Sequence, residues 1–119
     1  MATLKDSLNE LMTIDGAMAV ALVDGNSGMM LGSSGGGVDL DVAAAGNTEV
    51  VRSKMKTMKA LKLNDEIEDI LITLGRQYHI IRPVAAKLGL FFYIVLDRAR
   101  SNLALARRKV LDVEASLTL

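Results

Sequence analysis

Apolar residues along this chain recur first at helical spacing and then at alternate positions or in unbroken runs. Their order predicts helix, two strands, helix, three strands, helix. Leu4, Leu8 and Leu11 fall on one face of the first helix, with Thr3 as its cap and Asp6 near its positive end. Asp15-Gly16 ends that element. Ala17–Val23 reads as a strand with Met18, Val20 and Leu22 on one side and Ala17, Ala19, Ala21 and Val23 on the other. Both sides are apolar, so both faces of the sheet need a cover. Asp24–Gly28 is rich in residues that tolerate a tight hairpin turn. Met29–Gly32 returns as a short partner strand, and Ser33–Gly37 reads as a flexible connection.

Asp39 or Asp41 caps the second and longest helix. Over Leu40–Leu61 its wheel gives one broad stripe: Leu40, Ala43, Ala44, Asn47, Val51, Met55, Met58 and Leu61. Arg52, Lys56 and Lys59 lie opposite, and Ala43, Ala44 and Gly46 permit close approach of another backbone. The stripe is wide enough to touch both its own sheet and a second helix. Asn64-Asp65 breaks the helix. Glu66–Leu74 is the third strand, Gly75-Arg76 a tight turn, and Gln77–Arg82 the fourth strand, stopped by Pro83. Leu90–Leu96 is almost unbroken apolar sequence and belongs at the centre of the sheet. Asn102 or Ser101 opens a last helix lined by Leu103, Ala106, Val110, Val113 and Leu117, with Arg107, Arg108 and Lys109 off that face.

In the third strand, Ile70, Ile72 and Leu74 face one side and Ile67, Leu71 and Thr73 the other. Such an apolar strand is a liability at a sheet edge unless it is covered or paired. One reading is a capped or twisted edge in a monomer. The favoured reading is pairing with the same strand of a second copy, which also gives the broad helical stripe something to bury against.

The 119 residues make one domain by size, read as 1–119, and 50% apolar content is enough for a core. Two Phe, two Tyr and no Trp leave that core to aliphatic side chains and Met. The seven Met suit adaptable core or interface packing. Fourteen basic residues balance fourteen acidic ones, so nothing provides the electrostatic footprint of a nucleic-acid binder. The absence of cysteine excludes disulfides, thiolate metal sites and a Cys nucleophile. The N-terminal segment is amphipathic and charged, unlike a signal peptide, and no apolar run is long enough to span a membrane. The expectation is a cytoplasmic protein without membrane insertion.

Candidate chemistry is sparse. Gly32–Gly37 before a helix invites a phosphate-loop reading, but Gly37-Val38-Asp39 replaces the required Gly-Lys-Ser/Thr, and Asp39 and Asp41 repel phosphate. His79 is the only histidine and has no second ligand nearby in sequence, which favours a structural or surface role. Asp65, Glu66, Glu68 and Asp69 lack EF-hand spacing and read as a solvated strand start or a charged recognition element. Arg52, Lys54, Lys56, Lys59 and Lys62 form a basic run without an internal acid. It is either a solvated face or a partner for that acidic cluster, within the chain, across a dimer or on another protein. The chain supplies no catalytic set and no reason to expect a cofactor or metal.

The segment Gly16-Ala17-Met18-Ala19-Val20-Ala21-Leu22-Val23-Asp24-Gly25-Asn26-Ser27-Gly28, Ala43-Ala44-Ala45 in the long helix, and Asp97 with Ser101-Asn102-Leu103-Ala104-Leu105-Ala106-Arg107 together resemble the roadblock family. That family is related to dynein light chains and includes bacterial regulators of Ras-like GTPases. The resemblance covers nearly the whole chain and rests on structural signatures. It implies an α/β (α+β), profilin-like sandwich: a five-strand antiparallel sheet of order 2-1-5-4-3, with the long helix on one face and the terminal helices on the other. It also implies a homodimer in which third strands pair and middle helices pack. The interface residues expected are Ala44, Asn47, Val51, Met55, Met58, Ile67, Ile70, Leu71 and Ile72. Arg52, Lys56 and Lys59 are the candidates for binding a further partner. The function implied is a non-enzymatic platform that binds and regulates a small Ras-like GTPase. The alternatives are a scaffold or adaptor without effect on nucleotide turnover, and a small-molecule sensor using Ser33–Val38. An arginine finger from Arg52 or Arg107 is a further possibility within the first reading.

Overall fold

A computed structural model describes residues 2–119. The element order is α1 (Leu4–Met12), β1 (Ala17–Asp24), β2 (Met29–Gly35), α2 (Leu40–Ala60), β3 (Ile70–Thr73), β4 (Gln77–Pro83), β5 (Leu90–Asp97), a 3-10 turn at Arg98–Arg100, and α3 (Leu103–Ser116). The strands form one antiparallel sheet of order β2-β1-β5-β4-β3. This is the expected α+β sandwich.

Each helix starts where the sequence supplies a cap. Thr3 accepts from the Asp6 amide while the Asp6 carboxylate accepts from the Thr3 amide, forming a capping box. Asp39 accepts from the Val42 amide, and Asn102 from that of Leu105. The unbroken run in β5 sits at the sheet centre with Leu90 through Leu96 all buried. Alternation along the strands then divides the core into two layers. Val20, Leu22, Phe92, Ile94 and Ile80 pack beneath α1 and α3, against Leu8, Leu11, Ala106, Val110 and Val113. Ala19, Ala21, Val23, Phe91, Tyr93 and Ile81 lie on the α2 side, where Ala44 seals them.

Three expectations need correction. Met18 packs on the α2 side and Ala17 on the α1/α3 side, the reverse of strict alternation. The cause is a bulge in the β1–β5 ladder: Ala17 and Ala19 oppose consecutive residues Leu96 and Val95, leaving Met18 as the extra residue. Ser33–Gly35 is strand and not flexible connection, since these residues pair with Ala21, Val20 and Ala19. The ladder ends at Gly35, whose φ of +80° only glycine adopts freely and where a Cβ would collide with the Met18 carbonyl.

The third correction matters for function. β3 covers only Ile70–Thr73, so Ile67 lies outside it. Extending the β3–β4 register backward places Asp69 opposite Arg82 and Glu68 opposite Pro83. Pro83 has no N–H to donate, so a ladder could not continue there. Asp69 and Arg82 are also drawn to α3. Arg107 grips Asp69 through two hydrogen bonds of 2.8 Å, and Arg82 Nε donates to the buried Glu114 carboxylate at 3.0 Å.

Candidate functional site

Two regions are of interest, helix α2 and the β3 edge of the sheet. The first half of α2 is seated on β1 and β2. Ala44 is 1% exposed, and Thr48, 2% exposed, satisfies its hydroxyl by donating to the Ala44 carbonyl at 2.7 Å. Gly28 lies close beneath Ala45 and Thr48. Arg52 fastens this half to the β1–β2 hairpin, donating to the Gly25 and Asn26 carbonyls at 3.1 and 2.9 Å while pairing with Glu49. Val51 is the last α2 residue packed against the core. Beyond it, Met55 is 54% and Leu61 61% exposed, with Met58 half-buried. A 21-residue helix is about 31 Å long at ~1.5 Å per residue, and among the described residues its apolar side chains beyond Val51 join neither core layer.

β3 is an open sheet edge, since the strand order gives it one neighbour among the described residues, β4. Leu71 packs on the α1/α3 core and Ile70 on the α2-side core, while Ile72 is half-buried. Leu74 and Thr73 are exposed. None of the edge devices that discourage pairing occurs within Ile70–Thr73, which contains no charge, proline or bulge.

Polar groups join the two regions. Asn47 on α2 donates to the Ala43 carbonyl at 2.8 Å and lies near the Tyr93 hydroxyl on β5. The Tyr93 hydroxyl lies 3.0 Å from His79 Nδ1, and His79 Nε2 lies 2.8 Å from Gln77 Oε1. With the Gln77 amide nitrogen turned to Met18 Sδ, its oxygen accepts from His79 Nε2–H, and Nδ1 accepts from Tyr93. The two rings meet edge to face at 5.4 Å. Burial pushes the His79 pKa down, favouring the neutral ring that this chain of bonds requires. Burial also raises Tyr93, partly offset by the Asn47 hydrogen bond. Hydrophobic patterning missed Thr48 and this network, because a hydroxyl bonded to its own helix and a histidine bonded on both nitrogens look polar in sequence while packing inward.

The expected interface residues therefore divide. Ala44 is spent on the chain's own sheet; Asn47 joins the polar network; Val51, Ile70 and Leu71 are partly committed to the core. Met55, Met58 and Ile72 leave apolar surface open, and Ile67 stands half-buried in the segment before β3. Of the candidate partner residues, Arg52 is engaged by the hairpin, whereas Lys56 and Lys59 are exposed and form no ion pair among the described residues. The arginine-finger candidates, Arg52 and Arg107, are both held by contacts within the chain. The basic run of α2 and the acidic segment before β3 form no ion pair with each other among the described residues. No helix among those residues is long and apolar enough to cross a membrane, and no three His, Asp or Glu side chains converge on a metal-sized site.

No protein-family model matches the chain, and no curated protein matches it in sequence. Solved structures do. MglB of Myxococcus xanthus superposes with a TM-score of 0.80 at 18% identity over 92% of this chain and 86% of that one. A Roadblock/LC7 domain from Streptomyces avermitilis gives 0.82 at 13% identity, over 97% and 94%. The gliding protein MglB of Thermus thermophilus gives 0.79 at 15% identity, over 92% and 82%. The chain has the roadblock/LC7 fold.

Proposed function

We propose that this protein is a non-enzymatic homodimer that serves as a binding platform for, and regulator of, a small Ras-like GTPase. The observation that carries the reading is the coincidence of two incomplete surfaces, the unpaired apolar edge of β3 and the unpacked second half of α2. A two-fold axis perpendicular to the sheet at β3 makes the paired strands antiparallel and keeps both α2 helices on the same face. Both surfaces are then completed by one operation, with Met55, Met58 and Ile72 buried near the axis. The exposed Lys56 and Lys59 remain available to a further partner.

The GTPase half of the proposal rests on the roadblock fold and on the likeness to MglB. In such a platform, regulation works by holding the GTPase's own residues in place, since Arg52 and Arg107 are committed elsewhere. Affinity capture from the source organism's lysate, run in parallel with GDP and with a non-hydrolysable GTP analogue, tests it. A small GTPase retained in one nucleotide state only is the expected result. The same non-GTPase partner in both states replaces it with the adaptor reading.

A further inference from the structure

Charge is distributed unevenly along the β3 edge. Immediately before the strand come Asp65, Glu66 and Glu68, all exposed. Asp69, the last acid before Ile70, is neutralised by Arg107, which also feels the charge of Glu68. Immediately after the strand, Leu74 N–H donates to the Gln77 carbonyl and closes a tight turn carrying Arg76, also exposed. Arg98 joins this end. Its guanidinium donates to the Leu74 carbonyl at 2.9 Å and sits 5.2 Å from the Tyr78 ring centroid, while its backbone N–H donates to the Arg76 carbonyl. The nearby Asp97 carboxylate is turned to the Ala99 amide. Among the described residues, Asp65, Glu66, Glu68 and Arg76 form no ion pair. The edge thus runs acidic, apolar, basic.

A strand with this polarity is self-complementary in one direction only. In an antiparallel pair of β3 strands, the acidic flank of each copy lies along the basic flank of the other. With pairing centred on Leu71, Arg76 falls opposite Glu66 of the second copy, and centred on Ile72 it falls opposite Glu68. A parallel pair sets acid beside acid and base beside base. We infer that the acidic flank Asp65–Glu68 and Arg76 pair between two copies of this chain, fixing the direction of β3 pairing and restricting the edge to its own kind. This rests on the dimer reading above and adds to it a selection mechanism. Opposed like charges reject a parallel pair and foreign strands.

The test uses two charge-reversed chains and their combination. Glu66→Lys with Glu68→Lys makes the first flank basic, and Arg76→Glu makes the second acidic. Each variant alone faces like charge in its homodimer. On sedimentation at low salt, each is expected to dissociate on the order of tenfold more readily than wild type, or more. Mixing the two variants restores a heterodimer in which every facing pair is opposite. Carrying all three substitutions in one chain restores the homodimer. Recovery in either combination cannot come from a folding defect. A dimeric wild type whose reversed variants assemble undiminished overturns this inference and leaves the dimer reading standing. A monomeric wild type overturns both.

Discussion

At one edge of the sheet, β2 carries Gly32, Ser33, Ser34 and Gly35 and is interrupted by a bulge at Leu31, where Leu22 and Val23 of β1 pair with Gly32 and Met30. Helix α1 closes over its outer half so tightly that a Cβ on Gly32 would press on Leu4 and Leu8, and α2 is seated on its other face. At the opposite edge, β3 offers Ile70-Leu71-Ile72 in regular register. Elsewhere on the molecule, the second half of α2 leaves Met55 and Leu61 exposed. Bulges, glycines and flanking helices are the means by which an edge strand avoids pairing, and they are confined to β2. The two edges share one sheet and one solvent, so the difference between them marks β3 as the edge that stays open for a partner.

The comparison can be broken most forcefully at α2. Met55→Glu with Met58→Glu places carboxylates on the face proposed to meet a second copy. Uncompensated buried charge costs about 3–5 kcal/mol, so the assembly is expected to fall to monomer or to aggregate. Sedimentation that matches wild type removes this stripe from the interface. Next in size is a matched pair of edge substitutions. Ile72→Lys loses about 1.5–3 kcal/mol of burial in the proposed interface and should weaken association roughly ten- to hundredfold. Leu31→Lys on β2 should leave association unchanged. Equal effects at the two edges would remove the distinction between them.

Gly35→Ala sharpens the β2 side. Its backbone conformation and the Met18 carbonyl both oppose a Cβ, so the variant should lose about 1–2 kcal/mol of monomer stability. That corresponds to a melting temperature lower by about 4–8 °C, with oligomeric state preserved. The smallest effect concerns His79, which lies directly opposite Ile72 in the ladder. Its folded pKa is lowered from 6.5, so the unfolded chain takes up the proton first. This contribution to stability is complete above about pH 6.5 and is lost as pH falls from there toward the lowered folded value. Melting followed across that window should show a shallower decline for His79→Gln than for wild type; parallel curves would leave the Tyr93–His79–Gln77 chain without a role in acid sensitivity.

Much of this was written in local pattern. The three caps Thr3, Asp39 and Asn102, the central strand Leu90–Leu96 and the inward faces of α1 and α3 follow from short-range chemistry and from the periods of helix and strand. The face reversal at Met18 was not legible, because a bulge depends on how the neighbouring strand is spaced. Nor was the continuation of β2 through Ser33-Ser34-Gly35, which is held by backbone pairing and carries no apolar signal. The buried Glu114 sits on the inward face of α3 only because Arg82 arrives from β4 to meet it.

The same division holds for the candidate site. By itself the sequence determined that α2 has a broad apolar stripe, that Ile70-Leu71-Ile72 is a strand, and that acid precedes and base follows it. Those properties depend on residue type and spacing along a few turns or pleats. Only the tertiary structure decided that Ala44 is consumed by the chain's own sheet, that Met55 is not, that Arg52 is tied to the hairpin, and that β3 ends the sheet. Burial and pairing are set by what the rest of the chain brings alongside, and that neighbourhood is assembled from residues far apart in sequence.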